Sequence, residues 1–178
     1  MKSKAKTRRK KVPNTWDGIE TLYHRLLNSW YSKHDRTKAL PIANRLEAAL
    51  ERVSTGRSSI KAAECRSLIA EVRGNLAEAI EQREKEIRLI RRLHHLSLDT
   101  PGRDFVLRRY DLSDVSDRMD LLAMLYHDAG NLDKALQILR RSKRLCQSHG
   151  IPFDGADLLE EYTAEQKAAL AVPHRRGA

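Results

Sequence analysis

Aromatic residues are scarce in this chain, with two Trp, five Tyr and two Phe among 178 residues. That leaves few platforms on which bases could stack, so recognition of single strands by stacking is not expected. Two cysteines, Cys65 and Cys146, are too few for a disulfide framework, and neither has a CxxC partner. A reducing, cytoplasmic setting is the expectation. No apolar run approaches the roughly 18 residues of a membrane span. The basic N-terminus leads into Pro13, Asn14 and Asp17 instead of a signal-peptide apolar stretch. Runs of β-branched residues are missing, and Gly and Pro are few. What is abundant is Ala, Leu, Glu, Arg and Lys, which favour helix almost everywhere, so essentially no sheet is expected.

The net charge of +10 suggests a nucleic-acid partner until it is located. Lys2, Lys4, Lys6, Arg8, Arg9, Lys10 and Lys11 fill the first eleven residues with no acid among them, and Arg175 and Arg176 lie at the other end. With those nine set aside, 25 of the 34 Lys and Arg residues face 24 acids, so the remaining body is nearly neutral. Residues 1–13 read as a disordered basic tail that favours polyanions through counterion release without reading sequence.

Apolar spacing of three and four predicts a series of helices. Ile19, Leu22, Tyr23, Leu26, Leu27 and Trp30 form a stripe over Trp16 to Tyr31, with Thr15 as N-cap. Ala39, Ile42, Ala43, Leu46, Ala49, Leu50 and Val53 form a second, stopped by Gly56. Pro41 interrupts it and predicts a start near Leu40 or a bend. A third helix is expected from Ser58 to Arg73 and a fourth from Leu76 to Leu96, the latter with an outer face supported by Glu81/Lys85 and Glu84/Arg88. After the break at Asp99 to Gly102, a short turn is expected over Phe105 to Tyr110, followed by cap-like Ser and Asp residues over Asp111 to Asp117, Ser116 among them, then helices over Met119 to Ala129 and Leu132 to Ser148. Two short C-terminal helices are expected after Gly150 and Pro152, one from Asp154 or Gly155 to Tyr162 and one capped by Thr163 and Gln166.

One heptapeptide is nearly doubled: Gly74 to Ile80 reads GNLAEAI and Gly130 to Leu136 reads GNLDKAL. Around the second copy, Met119, Leu122, Ala123 and Tyr126, then Ala135 and Leu139, fit the tetratricopeptide pattern W-x2-L-G-x2-Y, A-x3-F. Around the first copy, Ala79 follows Gly74, with Ala63, Arg66, Ser67, Ala70 and Arg83 at the other signature places. The chain resembles a tetratricopeptide-repeat protein over roughly residues 15–150, most clearly at 117–148. The resemblance implies an all-α fold of antiparallel helix-turn-helix pairs stacked as a short solenoid with C-terminal capping helices. On this reading residues 14–171 form one helical-repeat domain with an insertion near 97–115, because the two glycines lie farther apart than a repeat length, and 172–178 form a flexible tail.

The resemblance further implies a concave groove lined by the first helix of each pair. In that register it displays His24, Arg25, Asn28 and Tyr31, then Glu64, Leu68 and Glu71, then Asp120, Met124, His127 and Asp128. Such a groove makes the chain a non-enzymatic adaptor for a protein or peptide partner. Its acids select a basic or amphipathic segment.

A second reading is an accessory subunit of a nucleoprotein complex. Its contacts are the N-terminal tail and the basic helix ends at Arg140, Arg141, Lys143 and Arg144, echoed by Arg88, Arg91 and Arg92. If those ends align, they form one strip facing phosphate. Arg144 to His149 also reads R-x4-H, a spacing similar to that of all-helical ribonuclease domains, with Leu145 where a polar residue is common. No ligand pair among His127, His149, Cys146 and Cys65 has zinc-site spacing, and adjacent His94 and His95 point about 100° apart on a helix. No metal, cofactor or catalytic group is expected.

Overall fold

A computed structural model describes residues 15–53, 59–94 and 109–171. The basic tail, Gly56, the break around Thr100 and residues 172–178 lie outside the described residues. Among those described there are seven helices and no strand. They pack as two compact units divided at residues 58 and 59.

The first unit is a helical hairpin. α1 spans Trp16–Leu27, capped by the Thr15 hydroxyl accepting from the Gly18 amide at 3.3 Å, and buries Ile19, Leu22, Tyr23 and Leu26. The helix widens into a five-residue π-helical segment, Asn28–Ser32, closed by the Lys33 amide donating to the Asn28 carbonyl at 3.1 Å. His34 then adopts φ +48°, and Asp35 caps α2, Arg36–Leu50, by accepting from the Lys38 amide. α2 packs on α1 and buries Ala39, Ala43, Leu46, Ala49 and Leu50.

Pro41 therefore does not open the helix or delay it to Leu40; it sits inside α2. The Asp35 cap starts the helix early enough that Pro41 falls in its second turn, where it denies a partner to the Thr37 carbonyl alone. Pro41 is exposed, so water can serve that carbonyl.

The second unit runs through α3 (Ser59–Arg73), α4 (Leu76–His94), α5 (Arg109–Asp128), α6 (Leu132–His149) and α7 (Ala156–Ala171). Each packs on the next, with α3 against α4, α4 against α5, α5 against α6 and α6 against α7. The GNL copies make matching turns. Gly74 and Gly130 take φ of +79° and +76°, the left-handed region that costs glycine little. Their amides donate to Glu71 and His127 at 2.9 and 2.8 Å, and the following Asn amides donate to Ala70 and Tyr126, each at 2.8 Å. Asn75 and Asn131 then cap the next helix by accepting from the amides of Glu78 and Lys134.

Small residues meet across both hairpins. Ala123 and Ala135 are fully buried, as are Ser67 and Ala79 at the same spacing, and the Ser67 hydroxyl donates to the Ala79 carbonyl at 2.9 Å. The apolar core gathers Ile87 and Ile90 of α4, Val115, Met119, Leu122 and Ala123 of α5, Leu136, Leu139 and Leu145 of α6, and Tyr162 of α7.

Two boundaries differ from the sequence reading. α5 begins at Arg109, ten residues before the expected start, because Ser116 spends its hydroxyl inside the core, 2.8 Å from that of Ser142, and so does not cap a helix. α7 is one helix, not two. Thr163 bonds back to the Leu159 carbonyl at 2.6 Å, and Gln166 reaches Asp133 of α6 at 2.6 Å, so neither forms a capping box.

Candidate functional site

The inward stripe of α4 carries charge where apolar letters alone predict none. Arg83 and Glu86 are 3% and 0% exposed, and Arg83 Nη1 donates to Glu86 Oε2 at 2.7 Å. Arg118 of α5 completes the pair by donating from Nε to Glu86 Oε1. It also donates to the Asp114 carbonyl at 2.9 Å and lies 3.9 Å from Glu64 of α3. Burial pushes the Glu86 carboxyl up, and the two guanidiniums work against that rise. Burial also disfavours charge on Arg118, yet Glu86 beside it raises its pKa further. This cluster ties α3, α4 and α5 together, and removing Glu86 would leave the buried Arg83 without its counter-charge, while Arg118 keeps Asp114 at 3.2 Å.

Beside it, α4, α5 and α6 line an open cleft of about 180 Å³. Ile87, Met119, Leu122 and Ile138 form its apolar floor, while Arg88, Arg91, Lys134 and Arg141 stand around it with one acid, Glu84. Glu84 is committed twice, accepting from Tyr126 Oη at 2.8 Å and from Arg88 Nη1 at 3.3 Å. Burial, then the Glu84 bond, hold the Tyr126 phenol up at about 12, so it stays a neutral donor. Four cations around a small apolar floor suit an anionic ligand with an apolar anchor.

The expected groove residues are distributed unevenly. In the first unit His24 is exposed, 3.9 Å from Glu20, and Tyr31 is half-buried. Arg25 and Asn28 line a separate cleft of that unit. In α3, Leu68 is buried, Glu64 pairs with Lys61 at 2.9 Å, and Glu71 is half-buried. In α5, Met124 is 36% exposed and Asp128 is exposed. α7 covers the rest of that face: His127 stacks on Tyr162 at 4.2 Å and meets Glu165 at 2.7 Å, while Asp120 lies against Gly155, where an added Cβ would come within 2.7 Å of its carboxylate. Burial pushes the Asp120 carboxyl up to about 6, against the lowering effect of its Ser142 bond.

Of the basic helix ends, Arg140, Lys143 and Arg144 are exposed on α6, whereas Arg141 joins Arg88 and Arg91 at the cleft. Lys2, Lys4, Lys6, Arg8, Arg9, Lys10 and Lys11 lie outside the described residues. His149 ends α6 with Nδ1 3.0 Å from the Leu145 carbonyl and 2.8 Å from the Ser148 hydroxyl. Cysteine chemistry has little support, since burial pushes the Cys65 thiol up to about 12 and also raises that of Cys146. No group of three His, Cys, Asp or Glu among the described residues is placed to hold a metal ion.

Sequence reasoning found the basic letters but missed the cleft, the Glu86 cluster and the cover supplied by α7. The signal for the cluster is a gap in the apolar stripe of α4, where Arg83 and Glu86 stand at inward positions. Comparison with protein-family models, with curated proteins and with solved structures finds no match to this chain.

Proposed function

We propose that this chain is a non-enzymatic adaptor, tetratricopeptide-like over its second unit, that binds a protein partner through an acidic amphipathic segment seated in the α4–α5–α6 cleft. The observation that carries this reading is the cleft itself, with an apolar floor and four surrounding cations drawn from consecutive helices. The matching GNL turns support the repeat assignment, because equivalent backbone bonds recur at equivalent positions in α3–α4 and α5–α6. The α5 face offers a weaker concave groove, since α7 engages Asp120 and His127 there and leaves Met124 as its main apolar contact. A partner on the cleft is therefore acidic, where the groove register alone favours a basic one.

Lys134→Glu and Met124→Glu separate the two surfaces. A helical peptide with Leu anchors and Glu between them should lose at least about tenfold in affinity with Lys134→Glu. It should be nearly indifferent to Met124→Glu, and the reverse ranking returns the site to the α5 face.

The second reading, nucleoprotein contact, draws on Arg88, Arg91 and Arg141 lining one cleft. The apolar floor favours a peptide over phosphate. Salt decides between them: binding through several phosphates weakens steeply from 50 to 200 mM salt, whereas an apolar-anchored peptide weakens mildly. Steep salt dependence with a duplex outcompeting the peptide would favour the nucleoprotein reading. RNA cleavage abolished by His149→Ala would instead reinstate the ribonuclease alternative.

A further inference from the structure

The first unit contains a second, more polar cleft, and it is built from an irregular stretch of backbone. Arg25, Asn28, Ser29 and Lys33 line one side and Thr37, Lys38, Pro41, Ile42 and Arg45 the other, around about 520 Å³. The α2 residues at 38, 41, 42 and 45 share one helical face, as do 25, 28 and 29 on the α1 side. Four cations line this cleft and no carboxylate does.

Asp35, the nearby acid, is already used. It pairs with Lys38 Nζ at 2.6 Å, accepts from the Thr37 hydroxyl at 2.6 Å and caps α2 through the Lys38 amide at 3.1 Å. Those bonds, the Lys38 side chain first, hold its carboxyl well below the usual range. No ion pair joins Arg25, Lys33 or Arg45 to a carboxylate among the described residues. Arg45 Nε is buried with no hydrogen-bond partner. Arg45 is only half-buried and lines the cleft, so its guanidinium keeps donors for an acceptor that enters there.

The backbone around the cleft points the same way. The π-helical turn at Asn28–Ser32, the left-handed His34 and the in-helix Pro41 all fall within the residues that frame it. π-Helical segments inside helices are frequent at functional sites. Here the Lys33 and Asp35 amides consume the carbonyls of Asn28 and Ser29. Those two acceptors are thereby withdrawn from the turn beside the cleft.

From this geometry we infer that the first unit binds a diphosphate-bearing anion in the α1–α2 cleft, gripped by the Arg25 and Arg45 forks with Lys33 and Lys38 beside them. Guanidinium forks match phosphoryl oxygens two bonds at a time, and the volume exceeds what one phosphate fills. Inorganic pyrophosphate and a nucleoside diphosphate present the same group. The site is independent of the partner proposed for the second unit.

Titration calorimetry on the full chain with inorganic pyrophosphate tests the site. Saturable one-to-one binding is expected, weakened at least about tenfold by Arg25→Ala with Arg45→Ala, and several-fold by exposed Lys33→Glu, with helical circular dichroism unchanged. Arg45→Lys, which keeps charge but not the fork, should recover only part of the loss. A nucleoside diphosphate that binds more tightly than pyrophosphate assigns the source to a nucleotide, and equal binding assigns it to free oligophosphate. Heats that never saturate, or an affinity shared by wild type and Lys33→Glu, would overturn the site and place any residual binding elsewhere.

Discussion

The hairpin of the first unit and the two GNL hairpins of the second reverse the chain with different chemistry. In α3–α4 and α5–α6, glycine enters the left-handed region and the next residue, asparagine, caps the following helix. In α1–α2 there is no glycine at the turn; the helix widens to a π turn, His34 takes φ +48° and Asp35 supplies the cap. Glycine carries little strain in that conformation, whereas a histidine there does. The GNL turns are thus unstrained joints repeated twice, and the α1–α2 turn is a single joint that tolerates strain beside a cationic cleft.

The largest expected effect sharpens a second contrast, between the two hairpins of the second unit. Arg83 and Glu86 occupy the positions that Leu139 and Ser142 hold one hairpin later, and all four are buried. Glu86→Ala leaves Arg83 buried without its acceptor and takes one of the acceptors of half-buried Arg118, and should cost about 3–5 kcal/mol. Arg83→Leu with Glu86→Leu, which imitates the apolar hairpin, should be far milder. Urea unfolding of the three proteins measures both, and equal losses would deny that the charge cluster has a structural role.

Next comes the junction of α5 with α7. The Asp120 carboxyl is raised from 3.8 to about 6 in the folded chain, so protonation favours folding. Its stabilising contribution is whole below about pH 4 and is lost as pH rises through about 6. Solvent screening of this half-exposed group limits the loss to about 1–2 kcal/mol. Asp120→Asn should flatten that part of the pH–stability curve, and an unchanged slope between pH 4 and 7 would refute the assignment.

Smaller effects of opposite sign separate the turn types. Gly130→Ala should lose about 1 kcal/mol from backbone strain alone, since nothing lies within 4 Å of the added Cβ. His34→Gly should gain about 0.5 kcal/mol by relieving its positive φ, less what is lost to a more flexible unfolded chain. If thermal melts show both substitutions destabilising, His34 carries no strain that glycine relieves. The caps give losses of the same order: Asn75→Ala and Asn131→Ala should each cost about 1 kcal/mol or less, the Asn75 loss being the larger because its side chain also donates to the Glu78 carboxylate at 2.9 Å.

The all-helical architecture was legible because the stripes through Ile19, Leu22 and Leu26 and through Ala39, Ala43 and Leu46 obey helical spacing, and these residues are buried. The GNL stops were legible for the same local reason, since a left-handed residue selects glycine. What escaped reading depends on distant partners. Ser116 resembles a cap until Ser142 and Cys146 are seen around it. Pro41 resembles a helix start until the Asp35 cap is seen. The clefts escaped too, because Arg88 and Arg141 or Arg25 and Arg45 lie far apart in sequence and share a site only after packing. Groove residues assigned by repeat register could not anticipate α7 lying on His127.

The proposed adaptor role depends on the α4–α5–α6 cleft receiving an acidic, apolar-anchored segment. Fluorescence anisotropy of a labelled helical Glu/Leu peptide, titrated with wild-type protein and with Arg88→Glu plus Lys134→Glu, tests it most directly. Saturable binding to wild type, at least about tenfold weaker binding to the charge-reversed protein and preserved helical content in both are expected. Equal affinity for the two proteins would contradict it.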